Sequence, residues 1–122
     1  MEYVLTKNAD CLLALLYALY KQNVKTMPED KARLLGNASD LKEKIGSKFT
    51  DENILSYCWE LYDNKLIYGG KYSNTLFNIE LQSTAIAYME NRKSETVNKL
   101  YKEIKEWSVP IATIISGLGF LG

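Results

Sequence analysis

The residues of this chain that could do chemistry are few, and their spacing argues mainly against catalysis. There is no histidine, which removes Ser–His and Cys–His nucleophile pairs and a histidine base working near neutral pH. Cys11 and Cys58 lie far apart, each among apolar neighbours. Two thiols are too few for a zinc site or a disulfide framework, so both read as small buried hydrophobes of a reducing compartment. The adjacent carboxylates Glu29-Asp30 and Asp51-Glu52 fall at helix starts, where capping and the helix dipole account for them. Gly117-Leu118-Gly119 lacks the third glycine and the preceding strand of a dinucleotide fingerprint. No enzyme, cofactor or metal is expected. Tyr57, Trp59, Tyr62, Tyr68 and Tyr72 form an aromatic cluster. They read mostly as core packing, because a nucleic-acid stacking platform wants basic residues interleaved with the rings.

Charge narrows the field further. Across 122 residues, fifteen basic and fifteen acidic side chains cancel to a formal net charge of zero. The basic excess of a free-standing nucleic-acid-binding domain is missing. Only Arg33 and Arg92 are arginines, so the usual bidentate reader of guanine edges is scarce. A hydrophobic fraction of 47% with 25% charged residues is that of one folded globular domain. Cys11 to Tyr20 is an apolar run, but Glu2 and Asp10 occupy the place of a positive leader segment. That run is therefore read as a core helix of a cytoplasmic protein.

The elements that would position these residues follow from local signals. Asn8 to Gln22 is predicted as a helix with Asn8 as its N-cap, and Leu12, Leu13, Leu15, Leu16, Leu19 and Tyr20 cover more than half its circumference. Thr26-Met27-Pro28-Glu29 is the start of a short helix capped by threonine and ending at Gly36. A second short helix is predicted from about Ala38 to Ile45, ended by Gly46. Thr50 caps a longer one to about Asn64. There Ile54, Leu55, Cys58, Leu61 and Tyr62 form the buried stripe, with Asn53, Ser56, Tyr57, Glu60 and Asn64 on the wetter face. Leu66-Ile67-Tyr68, a turn over Gly69 to Asn74, and an alternating run from Thr75 to Leu81 predict a β-hairpin. Ser83 or Thr84 restarts a helix.

In this order the elements resemble the winged helix-turn-helix superfamily. The stretch ASDLKEKIGSKFTDENILSYCWELYDNKLIYGG is similar to its second helix, turn, recognition helix and first wing strand. LFNIELQSTAIAYMENR is similar to the second wing strand and the helix after it. The expected fold is thus mainly α with a small β-hairpin: a winged-helix domain over 1–92, with an added C-terminal helix and apolar tail over 93–122. The resemblance implies DNA binding, with the longer helix in the major groove and the wing on the backbone. Yet Asn37 to Glu80 holds five lysines (Lys42, Lys44, Lys48, Lys65, Lys71) against seven carboxylates, a net of −2, and carboxylates facing phosphates repel them. Two partners follow as expectations. One is DNA, touched by Lys42, Lys44, Lys48 and Lys71, with Asn53, Ser56 and Tyr57 at base edges. The other is a protein bound by the acidic face, with Glu60 and Tyr72 among its contacts.

The tail offers association. Val97, Leu100, Ile104, Trp107, Ile111, Ile114, Leu118 and Leu121 continue one apolar heptad, the pattern of a self-associating helix. The tail is therefore expected to pack on its own domain or on a partner subunit, with a homo-oligomer through the C-terminal helix as the leading expectation. Ser108-Val109-Pro110 should interrupt that helix. No charge follows Glu106, and Trp107 with the lysines at 99, 102 and 105 fits a membrane interface as the alternative. Fifteen helical residues span about 22 Å, short of a hydrocarbon core of about 30 Å.

Overall fold

A computed structural model of the chain describes residues 3–45, 49–72 and 74–106. Gly46, Lys48, Trp107, Ile111, Ile114 and the rest of the apolar tail lie outside these described residues. The described part is mainly helical with one antiparallel hairpin. Its elements are α1 (Lys7–Asn23), α2 (Glu29–Ala32), α3 (Ala38–Ile45), α4 (Asp51–Asp63), β1 (Ile67–Tyr72), β2 (Thr75–Leu81), α5 (Ser83–Glu90) and α6 (Ser94–Lys105).

α1 is the centre. Every side chain from Cys11 to Tyr20 is buried, as a helix apolar on all sides requires. Ile54, Cys58 and Leu61 of α4, Leu76, Ile79 and Leu81 of β2, Ala85 and Met89 of α5, and Val97, Tyr101 and Ile104 of α6 share its core. Among the described residues no buried side chain is polar or charged in type, so apolar burial is the chief source of stability. The expected N-cap moves by two residues. Thr6, not Asn8, accepts from the Ala9 amide, and Asn8 instead donates to the Tyr57 hydroxyl at 3.0 Å.

The second helix is shorter than its sequence implied, and Pro28 rather than Thr26 is its N-cap. It stops at Ala32 because the next residues pair with β2. The Leu35 amide donates to the Ile79 carbonyl at 2.8 Å, Ile79 to Gly36 at 2.7 Å, and Leu81 to Arg33 at 2.9 Å, while Leu34 bridges Glu80. A short strand-like segment therefore covers the outer edge of β2.

In the hairpin, the residues expected as a turn, Gly69 to Tyr72, are strand. The reversal takes only the two residues between Tyr72 and Thr75, with Asn74 at φ 64, which is the left-handed geometry of tight hairpins. β2 holds an extra residue. Tyr68 pairs with Glu80 and Gly70 with Phe77, so Asn78 and Ile79 together oppose Gly69. Asn78 adopts φ 52, and its amide donates to Asn37 Oδ1 at 2.9 Å. This bulge reverses the strand's in–out parity. Leu76 points inward before it, and Ile79 and Leu81 point inward after it. Simple alternation from Thr75 to Leu81 would have buried Asn78 and Glu80 alongside Leu76.

α6 packs on α1. The inward set is Val97, Tyr101 and Ile104, with Leu100 half-buried against the same core. Of the packings expected for this helix, the described residues show the one on its own domain: Val97 and Ile104 are 7% and 0% exposed. Tyr101, not Leu100, completes the set. Between α5 and α6, Arg92 forks onto the Asp10 carboxylate at 2.6 and 3.1 Å, tying the far end of the chain to the first helix.

Three substitutions check this account. A Cβ on Gly69 would lie 2.7 Å from the Phe77 carbonyl oxygen, whereas one on Gly70 meets only that oxygen, at 4.0 Å. Gly69→Ala should cost about 2 kcal/mol in chemical denaturation, while Gly70→Ala should stay within about 0.5 kcal/mol. Asp10→Ala leaves the Arg92 guanidinium unpaired and should cost about 2 kcal/mol by the same measurement.

Candidate functional site

Helix α4 and the hairpin form one face. Thr50 starts the helix by accepting from the Asn53 amide at 3.1 Å. Ile54, Cys58 and Leu61 then anchor one side in the core. A period of 3.6 residues leaves Asp51, Glu52, Asn53, Ser56 and Asp63 exposed on the other. The exposed edge of α4 thus carries three carboxylates, two neutral polar groups and no cation.

The residues singled out from sequence divide into three groups. Asn53, Ser56, Lys71 and Tyr72 are exposed on this face. Tyr57 and Glu60 are committed internally. Tyr57 is half-buried, meets Phe49 edge-on at 5.7 Å and accepts from Asn8. The Glu60 carboxylate accepts from the Thr6 amide at 2.7 Å and from its hydroxyl at 3.1 Å. These two hold the start of α1 against α4, so their polar atoms are already engaged within the chain. Lys42 and Lys44 fall on α3, and Lys48 lies outside the described residues.

Of the cluster read mostly as core packing, Tyr57, Trp59 and Tyr62 do pack, partly buried, against the core, while Tyr68 and Tyr72 are exposed. Trp59, Tyr62 and Tyr68 together form a ridge. Trp59 and Tyr62, one helical turn apart, are only half-buried. Their rings stand 5.6 Å apart at 81°. Tyr68 stacks on Tyr62 at 6.1 Å and 21° although 60% exposed, and Tyr72 is 70% exposed. Into the corner between Trp59 and Tyr62 comes Lys71, its ammonium 5.5 Å from one ring centre and 4.6 Å from the other. Strand geometry explains its reach: Ile67 and Gly69 are buried, and Lys71 continues the same alternate row past the end of the core. A basic residue is therefore interleaved with the rings after all, supplied by strand β1 rather than by the helix. The sequence signal was the i, i+3 pair Trp59/Tyr62 followed by a strand bearing lysine.

Two grooves flank this corner. One of about 450 Å³ is lined by Trp59, Asp63, Lys71, Tyr72, Asn74 and Thr75. The other, about 470 Å³, is lined by Tyr62, Asp63, Lys65, Ile67, Tyr68 and Gln82. Asp63 lies on both. A larger depression of about 620 Å³ between the N-terminal segment and α5 includes Arg92, whose guanidinium is already engaged by Asp10.

Among the described residues no three His, Cys, Asp or Glu side chains are grouped to hold a metal ion, and no helix is long and apolar enough to cross a membrane. Burial pushes the Cys58 thiol up to about 12, so it stays protonated at neutral pH and is a poor nucleophile. No family model, curated protein or solved structure matches the chain.

Cys11 and Cys58 are both buried thiols, 1% and 0% exposed. Iodoacetamide at mildly alkaline pH should leave both unmodified in the native protein and alkylate both in denaturant, as read by intact mass. Labelling of Cys58 in the folded state would contradict its environment.

Proposed function

We propose that this chain is a non-enzymatic interaction module of winged-helix type, and that the face made by α4 and the hairpin binds a protein rather than nucleic acid. The element order supports the fold reading: a central helix, a short paired segment at Leu34, helices α3 and α4 in succession, then a hairpin whose second strand pairs with Leu34. Fold alone leaves the partner open.

One observation carries the choice of partner. The position that would enter a DNA groove exposes Asp51, Glu52 and Asp63 with no compensating cation on α4, while Lys71 of the wing is drawn sideways onto Trp59 and Tyr62. Bringing phosphates to that surface costs energy at each carboxylate. Aromatic rings beside carboxylates instead suit a partner of mixed apolar and basic character. The homodimeric DNA regulator expected from the family resemblance loses a second support, since two residues of its dimer seam lie in the core of α1 and α6.

A mobility-shift series against random duplex DNA tests the reading. The native chain should give no shift even at low ionic strength, whereas the double variant Asp51→Lys/Glu52→Lys should gain a shift that fades as salt rises. A salt-sensitive shift by the native chain overturns the protein-partner reading. In parallel, a photo-reactive residue at Ser56 should give a discrete protein adduct in cell extract that Glu52→Lys abolishes; an adduct to nucleic acid would count against the reading.

A further inference from the structure

The corner formed by Trp59 and Tyr62 is built for a cation, and its present occupant belongs to the chain itself. Two rings nearly at right angles, with one ammonium within 6 Å of both centres, is the arrangement by which aromatic side chains hold positive charge. Lys71 occupies it on a flexible stem, is itself exposed, and makes no ion pair among the described residues. An ammonium in this setting is strongly hydrated and gains little from the rings. Asp63, shared by both grooves beside the corner, likewise has no ion-pair partner among the described residues. The site therefore combines an aromatic corner, a carboxylate beside it and an occupant that is easily displaced.

We infer that this corner is the binding site for an arginine side chain of the partner protein, which displaces Lys71, stacks its guanidinium on Trp59 and Tyr62, and forks onto Asp63. This rests on the protein-partner reading and names the chemistry of that partner. A guanidinium suits the site better than an ammonium in three respects. It is planar and stacks on rings, it is weakly hydrated, and its two-pronged edge matches a carboxylate. Lys71 then acts as a placeholder: it covers the rings when the partner is absent and lowers the apparent affinity by competing for the same space.

The test uses the full chain with Trp107→Phe, so that Trp59 is the sole tryptophan, and follows its emission during titration with a short peptide containing one arginine. The same peptide with citrulline, the uncharged isostere, is the control. The arginine peptide should change the emission saturably and the citrulline peptide should not. Lys71→Met should lower the half-saturating concentration about three- to tenfold. Asp63→Asn should raise it roughly threefold, and circular dichroism of each variant should match that of the parent.

Three results would overturn the inference. They are an equal response to citrulline, no gain in Lys71→Met or in a second variant Lys71→Gln, and saturation by tetramethylammonium but not by the arginine peptide. The last would make the corner a quaternary-ammonium site. If the arginine peptide fails while the Ser56 adduct and its loss in Glu52→Lys persist, the guanidinium assignment alone falls. If the native chain shifts duplex DNA, the protein-partner reading falls with it.

Discussion

Between Cys11 and Tyr20 ten consecutive side chains are removed from water. A helix with no wet side cannot lie on a surface, so every other element is obliged to present an apolar stripe to it. α4 does so with three residues on one side, and its opposite side is free to carry charge. α5 and α6 close the remaining sectors, and the hairpin closes the last through the inward residues of β2. The polar joints are few and sit at the margins: Thr6 on Glu60, Asn8 on Tyr57, and Arg92 on Asp10. They set angles and register, while the apolar contacts supply most of the stability.

The features that depend on neighbours in sequence were readable in advance. Thr50 as a cap, α3 over Ala38–Ile45, β2 over Thr75–Leu81 and the restart near Ser83 each rest on a few adjacent residues. The features that escaped depend on distant ones. Nothing near Ala32 says that its helix must stop there, because the reason is a set of backbone bonds to β2, more than forty residues away. Nor does the alternation from Thr75 to Leu81 reveal an added residue at Asn78, whose left-handed conformation is stabilised by the side chain of Asn37. Thr6 displaces Asn8 as the cap of α1 while bound to a carboxylate on another helix.

The candidate site divides along the same line. Asn53 and Ser56 could be placed outside because helix periodicity fixes which side they take, whereas Lys71 and Tyr72, expected in a turn, are exposed because strand β1 runs past the end of the core. Tyr57 and Glu60 share that periodicity with Ser56, yet the start of the chain folds over them and uses their polar atoms. The association of Lys71 with Trp59 and Tyr62 is tertiary: a strand returning beside the helix that precedes it carries a cation to rings nine and twelve positions earlier. Composition counted that lysine as one charge among many. Its position sets its ammonium over the rings of both Trp59 and Tyr62.

The central placement of α1 also bears on how the chain reaches its native state. α1 precedes nearly all the residues that cover it, and the guanidinium that clasps Asp10 arrives 82 residues later. A newly made chain therefore carries a helix with no wet side, awaiting a lid that is still to be synthesised. Partial products ending before α6 leave one sector of that helix open to water and to other chains. Burial of that sector therefore waits on contacts of large sequence separation, the kind that slow folding and leave apolar surface exposed meanwhile.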